Sequence, residues 1–559
     1  MQRPHRQDYL AVSRVVLDAE WGKQGRDVAD ALEDAKAADV TARIWRRDAS
    51  LWSENHAVQR AIANRLGWLD AAEWSARHLD QLSAFAASSS GAPVGLLGMG
   101  GSSLAPEVIS KVFGRPLTVL DSTDPTEVRT AEASLPVPDA RYIVASKSGE
   151  TIETRSHAAY FLERTGAPER FAAITDPGSA LEALASEKVF GETFLNPPDI
   201  GGRYSALSYF GLVPSAAIGV AIAPLLDAAQ QAMELCRDPE GPGLVLGVGL
   251  AELADEGRDK VTFVPSAGLE AFGAWAEQLL AESTGKLDVG LIPVDGEPLG
   301  TPAAYDDDRV FVHLRLAGSD ENSAAMAALR EEGHPVLTID VPSREALGAQ
   351  FFLWEFATAA AGWRLGIDPF DEPNVSESKQ NTARLIEAYV RDGAIPGPDP
   401  VAEEDGVLLY EPVETESVTE ALDALFGYFH RDRYVALQAF LPRSPSVERS
   451  LREIRTSIRD ARRFATTVGF GPRYLHSTGQ LHKGGPDNGL FIQITAEQTD
   501  DVPIPGRPYT FGVLQAAQAA GDYEALASRD RRILRLHLTE GVEAGLPVIA
   551  RMIRSALPR

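Results

Sequence analysis

The segment that follows a short apolar run at 142–145 concentrates groups that bind anions. It reads Ser146-Lys147-Ser148-Gly149-Glu150-Thr151, and we call it the SKS loop. The next residues have the pattern of a helix, and free N–H groups at a helix start favour negative charge, as do hydroxyls and a lysine. A simple helix cap would explain Ser148 or Thr151 but not the whole cluster. The spacing therefore predicts a site for a phosphate-type anion.

A glycine-rich turn lies between a predicted strand at 93–98 and a predicted helix at 103–113. It reads Gly98-Met99-Gly100-Gly101-Ser102-Ser103, and we call it the glycine turn. Glycines let a backbone approach a ligand closely. A dinucleotide site is one interpretation, because Asp121 ends the next strand about 20 residues later. Ser103 replaces the third glycine of that fingerprint, however, and hydroxyls suit a small phosphate ester. A tight turn without a ligand is the alternative.

From residue 93 onwards, short apolar runs alternate with helical stretches, which predicts parallel sheets with helices on both faces. In the first unit the predicted strands are 93–98, 117–121, 142–145 and 171–175. A second unit has strand candidates at 261–265, 289–293, 310–316 and 336–341, with helices at 244–256 and 269–283. Parallel strands end at one sheet edge, so the SKS loop and the glycine turn should lie close together. A dinucleotide fold does not need this second loop.

The chain divides into four predicted regions. Residues 1–90 read as helical, 91–235 as an α/β domain that binds phosphate, 236–395 as a second α/β domain, and 396–559 as a C-terminal α+β module. A proline-rich stretch at 394–402 separates the last two. In the module, strands are predicted at 407–410, 434–441, 490–495 and 533–538, with helices at 447–467 and 511–519. The predicted fold class is therefore α/β, with two parallel-sheet domains flanked by helices and an additional C-terminal α+β module.

Composition excludes several classes of protein. The 559 residues are 44% hydrophobic and 24% charged, and the formal net charge is −27, which argues against a nucleic-acid partner. With Cys236 as the one cysteine, no intrachain disulfide or cysteine metal cluster can form. No stretch approaches the ~20 apolar residues of a membrane span, and residues 1–20 lack the apolar core of a signal peptide. A cytoplasmic protein without a membrane partner is expected.

Taken together, these motifs resemble a known family. The SKS loop and the glycine turn resemble the sugar isomerase (SIS) domain, a flavodoxin-like parallel-sheet fold. Three further segments are similar to motifs of the glucose-6-phosphate isomerase family: Gly201-Gly-Arg-Tyr-Ser205, Gln278-Leu-Leu-Ala-Glu-Ser-Thr-Gly-Lys286, and Pro369-Phe-Asp-Glu-Pro-Asn-Val375 ending at Lys379. The similarity covers roughly residues 40–395. It is strongest to the isomerase half of bacterial transaldolase–isomerase fusions, and no transaldolase half is expected in this chain.

The resemblance implies an aldose–ketose isomerisation, which needs one base, one cation and groups that open the sugar ring, and neither a metal nor an organic cofactor. Glu282 would be the base, Arg203 would hold the enediolate, and Lys379 would assist ring opening. Gln278 lies four residues before Glu282 on one helix face, where it would order the substrate or the carboxylate. The sugar phosphate would be bound by the remaining candidates, which are Gly101, Ser102, Ser146, Lys147, Ser148 and Thr151.

Two departures from the family pattern stand out. A glutamine usually precedes the family lysine by seven positions, and here that residue is Glu372. The ring-opening histidine normally lies between the glutamate and lysine motifs, where this chain has only His313 and His334, neither in a matching context. A run at 474–481 resembles the histidine motif in a new location. His476 is therefore the candidate, reaching the site within its chain or across the subunit interface of an expected homodimer, and a purely structural histidine is the alternative.

Three other functions are open at this point. The enzyme could act on mannose 6-phosphate as well as glucose 6-phosphate, since the residues that distinguish C2 stereochemistry are not identifiable. A catalytically silent sugar-phosphate sensor would use the same loops, although the joint presence of Arg203, Glu282 and Lys379 argues against it. A dehydrogenase would depend on the glycine turn and Asp121.

Overall fold

The part of the chain that the structure describes forms three β-sheets surrounded by helices, so the predicted α/β class is confirmed. The computed structural model describes residues 16–136, 139–410, 415–428, 432–498 and 500–557, with the side chains of residues 375 and 376 excepted. The first 15 residues of the predicted N-terminal region lie outside the described residues. None of the described helices is long and apolar enough to cross a membrane.

The first sheet has five parallel strands: Val94–Gly98, Thr118–Leu120, Arg141–Ala145, Phe171–Thr175 and Glu192–Leu195. Their spatial order is second, first, third, fourth, fifth, which is the flavodoxin-like order. Strands one and four are buried along their whole length because helices cover both faces. The covering helices include Leu104–Phe113, Pro125–Ser134, Ile152–Thr165 and Ala180–Lys188.

The second sheet repeats this order with four parallel strands: Lys260–Pro265, Ile292–Val294, Arg309–Leu316 and Val336–Val341. A fifth strand, Val16–Glu20, pairs antiparallel with the last of them. The prediction that residues 1–90 are helical is wrong at this strand, because the helix Gly25–Ala37 begins only after it. Pairing with a distant strand outweighs the local helical pattern there.

Helices fill the space around and between these two sheets. The buried helix Leu347–Arg364 packs against Pro242–Asp255 and Ile222–Leu235 in the largest hydrophobic core. The helices Phe272–Thr284 and Val375–Asp392 carry candidate site residues, and we call them the glutamate helix and the lysine helix. The others in this part are Val40–Trp45, His56–Ala63, Ala71–Ala76, Leu79–Ser89, Tyr209–Ala217 and Ser323–Glu332.

The C-terminal module contains a mixed six-stranded sheet. Four of its strands are parallel: Tyr434–Phe440, Ala465–Phe470, Gly489–Ala496 and Arg532–Leu538. The antiparallel hairpin Ala402–Glu404 with Val407–Tyr410 extends the sheet beside the last of them. The second of the parallel strands was predicted as the end of a helix at 447–467, whereas that helix spans Pro445–Arg462. The module's other helices are Val418–Gly427, Gly479–Gly484, Phe511–Ala527 and Val542–Ala556.

Candidate active site

The SKS loop connects the third strand of the first sheet to the helix Ile152–Thr165. Ser146 Oγ accepts from the backbone N–H of Gly149 (3.1 Å) and lies 3.1 Å from Thr151 Oγ1. Gly149 has φ +71°, and a Cβ there would overlap the backbone nitrogen of Leu181, so only glycine fits this tight turn. The Thr151 side chain does not cap the helix. The N–H groups of the first turn are therefore available to an anion.

Lys147 does not point its ammonium into the loop. Its Nζ lies 2.5 Å from Asp176 Oδ2 and donates to the carbonyl of Pro198 at 2.8 Å. Ser148, by contrast, is exposed at the loop's surface. The hydroxyls and backbone of the SKS loop, rather than the lysine charge, are thus the groups that this structure presents to a ligand.

The glycine turn is held between two other parts of the chain. A Cβ on Gly100, which has φ +53°, would lie 2.7 Å from the His476 carbonyl oxygen, and one on Gly101 would collide with the backbone of Gly202. Ser103 Oγ lies 3.2 Å from Asp121 Oδ2, and Arg473 Nη1 donates to the same carboxylate oxygen at 2.9 Å. Asp121 is therefore engaged by protein groups and is not presented to a ribose, which weakens the dinucleotide interpretation.

Glu282 lies in the last turn of the glutamate helix, one turn after Gln278. Gln278 Nε2 donates to Glu282 Oε2 at 3.0 Å and to the backbone carbonyl of His476 at 2.8 Å. Burial raises the pKa of Glu282 above the ordinary glutamate value, and nearby Arg203 only partly offsets this rise. A carboxylate with a raised pKa in a fixed position has the properties of a general base.

Arg203 is almost fully buried, with 4% of its side chain exposed, and lies beside this base. Its Nη1 is 3.7 Å from Glu282 Oε1 and donates to Glu372 at 3.0 Å. Its Nε donates to Ser283 at 2.7 Å, and its Nη2 donates to the carbonyls of Pro369 and Asp371 at 2.8 Å each. The guanidinium is thus a fixed cation next to Glu282, able to stabilise an oxyanion that forms there.

Glu372 stands where the family pattern has a glutamine, and the structure gives it a definite contact. Burial would raise its pKa, but the Arg203 charge outweighs burial and lowers the pKa of Glu372 below the ordinary value. The Glu372 charge in turn contributes to the raised pKa of Glu282. Two carboxylates therefore share one guanidinium, and the one without a direct hydrogen bond to it is the better base.

The predicted histidine reaches the same region from the C-terminal module. His476 lies in residues 471–485, a segment that we call the histidine loop, and its Nε2 is 2.9 Å from Glu153 Oε1. Gln518 Nε2 donates to the same oxygen at 2.7 Å. Burial raises the pKa of Glu153, but the interaction with His476 outweighs it and holds the pKa of Glu153 at about 2. Glu153 and Gln518 are site residues that the sequence did not reveal.

A cavity of about 300 Å³ lies between the SKS loop, the lysine helix and the histidine loop. Its lining includes Ser148, Thr151, Glu153, Lys379 and His476. Lys379 is exposed, whereas the neighbouring Ser378 is buried. Glu282, Gln278 and Arg203 do not line this cavity, and Gln278 connects Glu282 to it through the hydrogen bond to the His476 carbonyl. The candidates therefore form two adjoining groups, one at the cavity and one beside it.

His313 and His334, the two histidines between the glutamate and lysine motifs, do not line this cavity. His313 is buried within its strand, and His334 packs against the rings of Tyr305 and Phe311. Within the residues that the structure describes, no group of three or more His, Cys, Asp or Glu side chains is arranged to hold a metal ion.

The structure thus combines parallel-sheet α/β units with a hydroxyl-rich loop at a sheet edge and a buried Arg–Glu pair nearby. No family model matches the chain. A Thermus thermophilus structure described as a hypothetical protein has a TM-score of 0.56 at 23% identity. The match covers 66% of this chain and 99% of the Thermus chain, and this likeness shows the fold.

Two bacterial relatives named glucose-6-phosphate isomerase are similar to the chain in sequence. The one from Leptospira biflexa is 33% identical over 296 residues, which is 44% of this chain and 65% of the relative. The one from Rubrobacter xylanophilus is 29% identical over 348 residues, which is 51% of this chain and 80% of the relative. The chain is thus similar to glucose-6-phosphate isomerases over about half of its length.

Proposed function

We propose that the protein interconverts glucose 6-phosphate and fructose 6-phosphate by moving a proton between C2 and C1 through an enediolate. The observation that carries this proposal is the pair Glu282–Arg203, a base with a raised pKa and a fixed cation 3.7 Å apart. The similarity to glucose-6-phosphate isomerases supports the choice of substrate.

Each side chain of this pair has a distinct task. Glu282 removes the proton from C2 as a carboxylate and returns it to C1, so one group serves as base and then as acid. Arg203 balances the negative charge that develops on the enediolate oxygens, and its very high pKa keeps it from giving up a proton. Gln278 fixes the carboxylate through the hydrogen bond to Oε2.

The SKS loop, the glycine turn and the residues that line the cavity bind the rest of the substrate. The Ser146, Ser148 and Thr151 hydroxyls and the helix N-terminus hold the phosphate, and Ser102 and Gly101 border the sugar from the glycine turn. His476, paired with Glu153, and Lys379 act on the ring oxygen, since ring opening needs a proton delivered there and one removed from the anomeric hydroxyl. Lys147 contributes through its backbone and through the loop shape that its bond to Asp176 maintains.

The experiment is to incubate the purified chain with fructose 6-phosphate in deuterated water. We expect formation of glucose 6-phosphate with deuterium at C2. A parallel incubation that yields mannose 6-phosphate would extend the function to both sugars. Binding of fructose 6-phosphate without deuterium exchange would contradict the enzyme proposal and favour a sensor.

Several expectations from the sequence accompany the proposal. The homodimer, the cytoplasmic location, the absence of a nucleic-acid partner and the relationship to transaldolase fusions stay predictions. The proposed steps use only side chains of this chain, and the absence of a cofactor likewise stays a prediction.

A further inference from the structure

The third sheet follows the same plan as the first two. Its parallel strands lie in the order second, first, third, fourth, as do the first four strands of the first sheet and the four parallel strands of the second. In the second and third sheets an antiparallel strand pairs with the fourth parallel strand. The chain therefore contains three units of one topology, and residues 402–557 form the third unit.

The histidine loop of the third unit is bonded to both helices that carry the other catalytic candidates. Gln480, which is fully buried, donates to the carbonyl of Gly285 at 2.9 Å, at the end of the glutamate helix. It also donates to Asn374 Oδ1 at 2.8 Å and accepts from the Asn374 N–H at 2.9 Å, at the start of the lysine helix. One side chain thus fixes the loop of His476 relative to Glu282 and Lys379.

The histidine loop fits so closely between these helices that the same loop of a second chain has no room there. A Cβ on Gly285 would collide with the backbone of Leu481, and one on Gly484 would lie 2.6 Å from Asn374 Oδ1. On the side of the first sheet, Gly100 meets the His476 carbonyl in the same way. Close contact at three glycines is typical of a permanent interface rather than of a surface left for a partner.

Shared cores hold the third unit in this position. Ile292 and Val294 of the second sheet lie in one hydrophobic cluster with Tyr434 and Phe491 of the third. A second cluster joins Tyr142 of the first sheet to Phe511 and Leu514 of the third unit. Arg473 adds a buried ion pair to Asp121 at 2.9 Å. A unit attached by two cores and a buried charge pair does not behave as a flexible appendage.

We propose that the third unit completes the active site in cis, so that each chain supplies its own His476 and isomerises substrate without a residue from a second copy. The catalytic role of this site rests on the proposed function, whereas its assembly from a single chain can be tested without that function.

The first experiment asks which chain's third unit lies on the lysine helix. A Cβ on Gly521 would lie 3.3 Å from the Cβ of Asn381, near the disulfide range of about 3.5–4.5 Å. We expect the double variant Asn381→Cys with Gly521→Cys to form an internal disulfide on oxidation and to keep monomer mass on a non-reducing gel. The two single variants are the controls for intermolecular bonds. A covalent dimer specific to the double variant, or no disulfide at all, would overturn the proposal.

The second experiment tests activity in mixed assemblies. Glu282→Gln and His476→Ala chains with different tags are co-expressed and purified through both tags in succession. If a doubly tagged species is obtained, we expect activity no higher than that of either variant alone, and half of the wild-type activity would overturn the proposal. If none is obtained while wild type is active, the single chain is sufficient. A wild type that is inactive on sugar phosphates would refute the proposed function and leave the disulfide result intact.

Discussion

The two groups of the candidate site differ in how firmly the protein holds them. Arg203 is almost fully buried and has four hydrogen-bond partners, and Glu282 is fixed by Gln278. At the cavity, Ser148 and Lys379 are exposed. The groups that would handle charge at C1 and C2 are therefore fixed before substrate arrives, whereas Ser148 and Lys379, which would contact the phosphate and the ring oxygen, are exposed until substrate binds.

The strongest test of this comparison is Glu282→Gln. The amide keeps the shape and the hydrogen bond to Gln278 but cannot accept the C2 proton, so we expect kcat to fall by about 10³-fold. Binding of fructose 6-phosphate, measured by calorimetry, should persist because the cavity is untouched. The matched control is Glu277→Gln on the same helix, where burial raises the pKa of Glu277 to about 8 and the carboxyl is already mostly neutral at pH 7. Equal losses in both variants would contradict the assignment of the base.

A second test changes the fixed cation. Arg203→Lys keeps the charge but cannot reach Ser283, Glu372 and two carbonyls at once. We expect kcat to fall by about 10²-fold, the usual size of a lost preorganised donor, with little change in phosphate binding. The measurement is steady-state kinetics in both directions. A lysine variant with wild-type kcat would show that charge alone is sufficient and that the fixed geometry has no role.

The fold was predictable where apolar runs lie between clear turn signals. The strand predicted at 171–175 is the strand observed, and 142–145 differs by one residue from Arg141–Ala145. The parallel strand Ala465–Phe470 was not recognised because the residue that stops the preceding helix, Arg463, has φ +61° without being glycine. Without a glycine to mark the helix end, the predicted helix extends into this strand, and the sequence therefore does not show that the third sheet has four parallel strands.

The site was predictable only as far as local motifs extend. The motifs single out Arg203, Glu282 and His476, and in the structure Arg203 lies beside Glu282 while Gln278 links Glu282 to the His476 carbonyl. Glu153 was missed because a glutamate in a first helical turn is usually explained by the helix dipole, and its partner His476 is 323 positions away. No local pattern could show that Lys147 is paired with Asp176, since this contact depends on the neighbouring strand and its loop.

A third test affects the cavity group through Glu153→Gln. The pKa of Glu153 is about 2, so the carboxylate is charged at all assay pH values. The substitution therefore removes the negative charge beside His476. If His476 opens the ring, the cyclic substrate should lose about tenfold in rate, while the open-chain form should lose much less. Stopped-flow kinetics would measure the rate with the cyclic sugar phosphate and, separately, the rate with a sugar phosphate too short to form a ring. Equal losses would point to a structural role for the Glu153–His476 pair.

The smallest expected effect comes from Glu372→Gln, which restores the family's glutamine. The Glu372 charge helps to raise the pKa of Glu282, so its removal should lower that pKa. A base acts in its deprotonated form, and activity is lost as pH falls through its pKa. The acid limb of the kcat/KM profile should therefore move to lower pH, by less than about one unit. Asp371→Asn is the matched control, because the Asp371 carboxylate pairs with Lys286 instead. An acid limb that stays in place, or that moves equally in both variants, would show that the Glu372 charge does not set the pKa of Glu282.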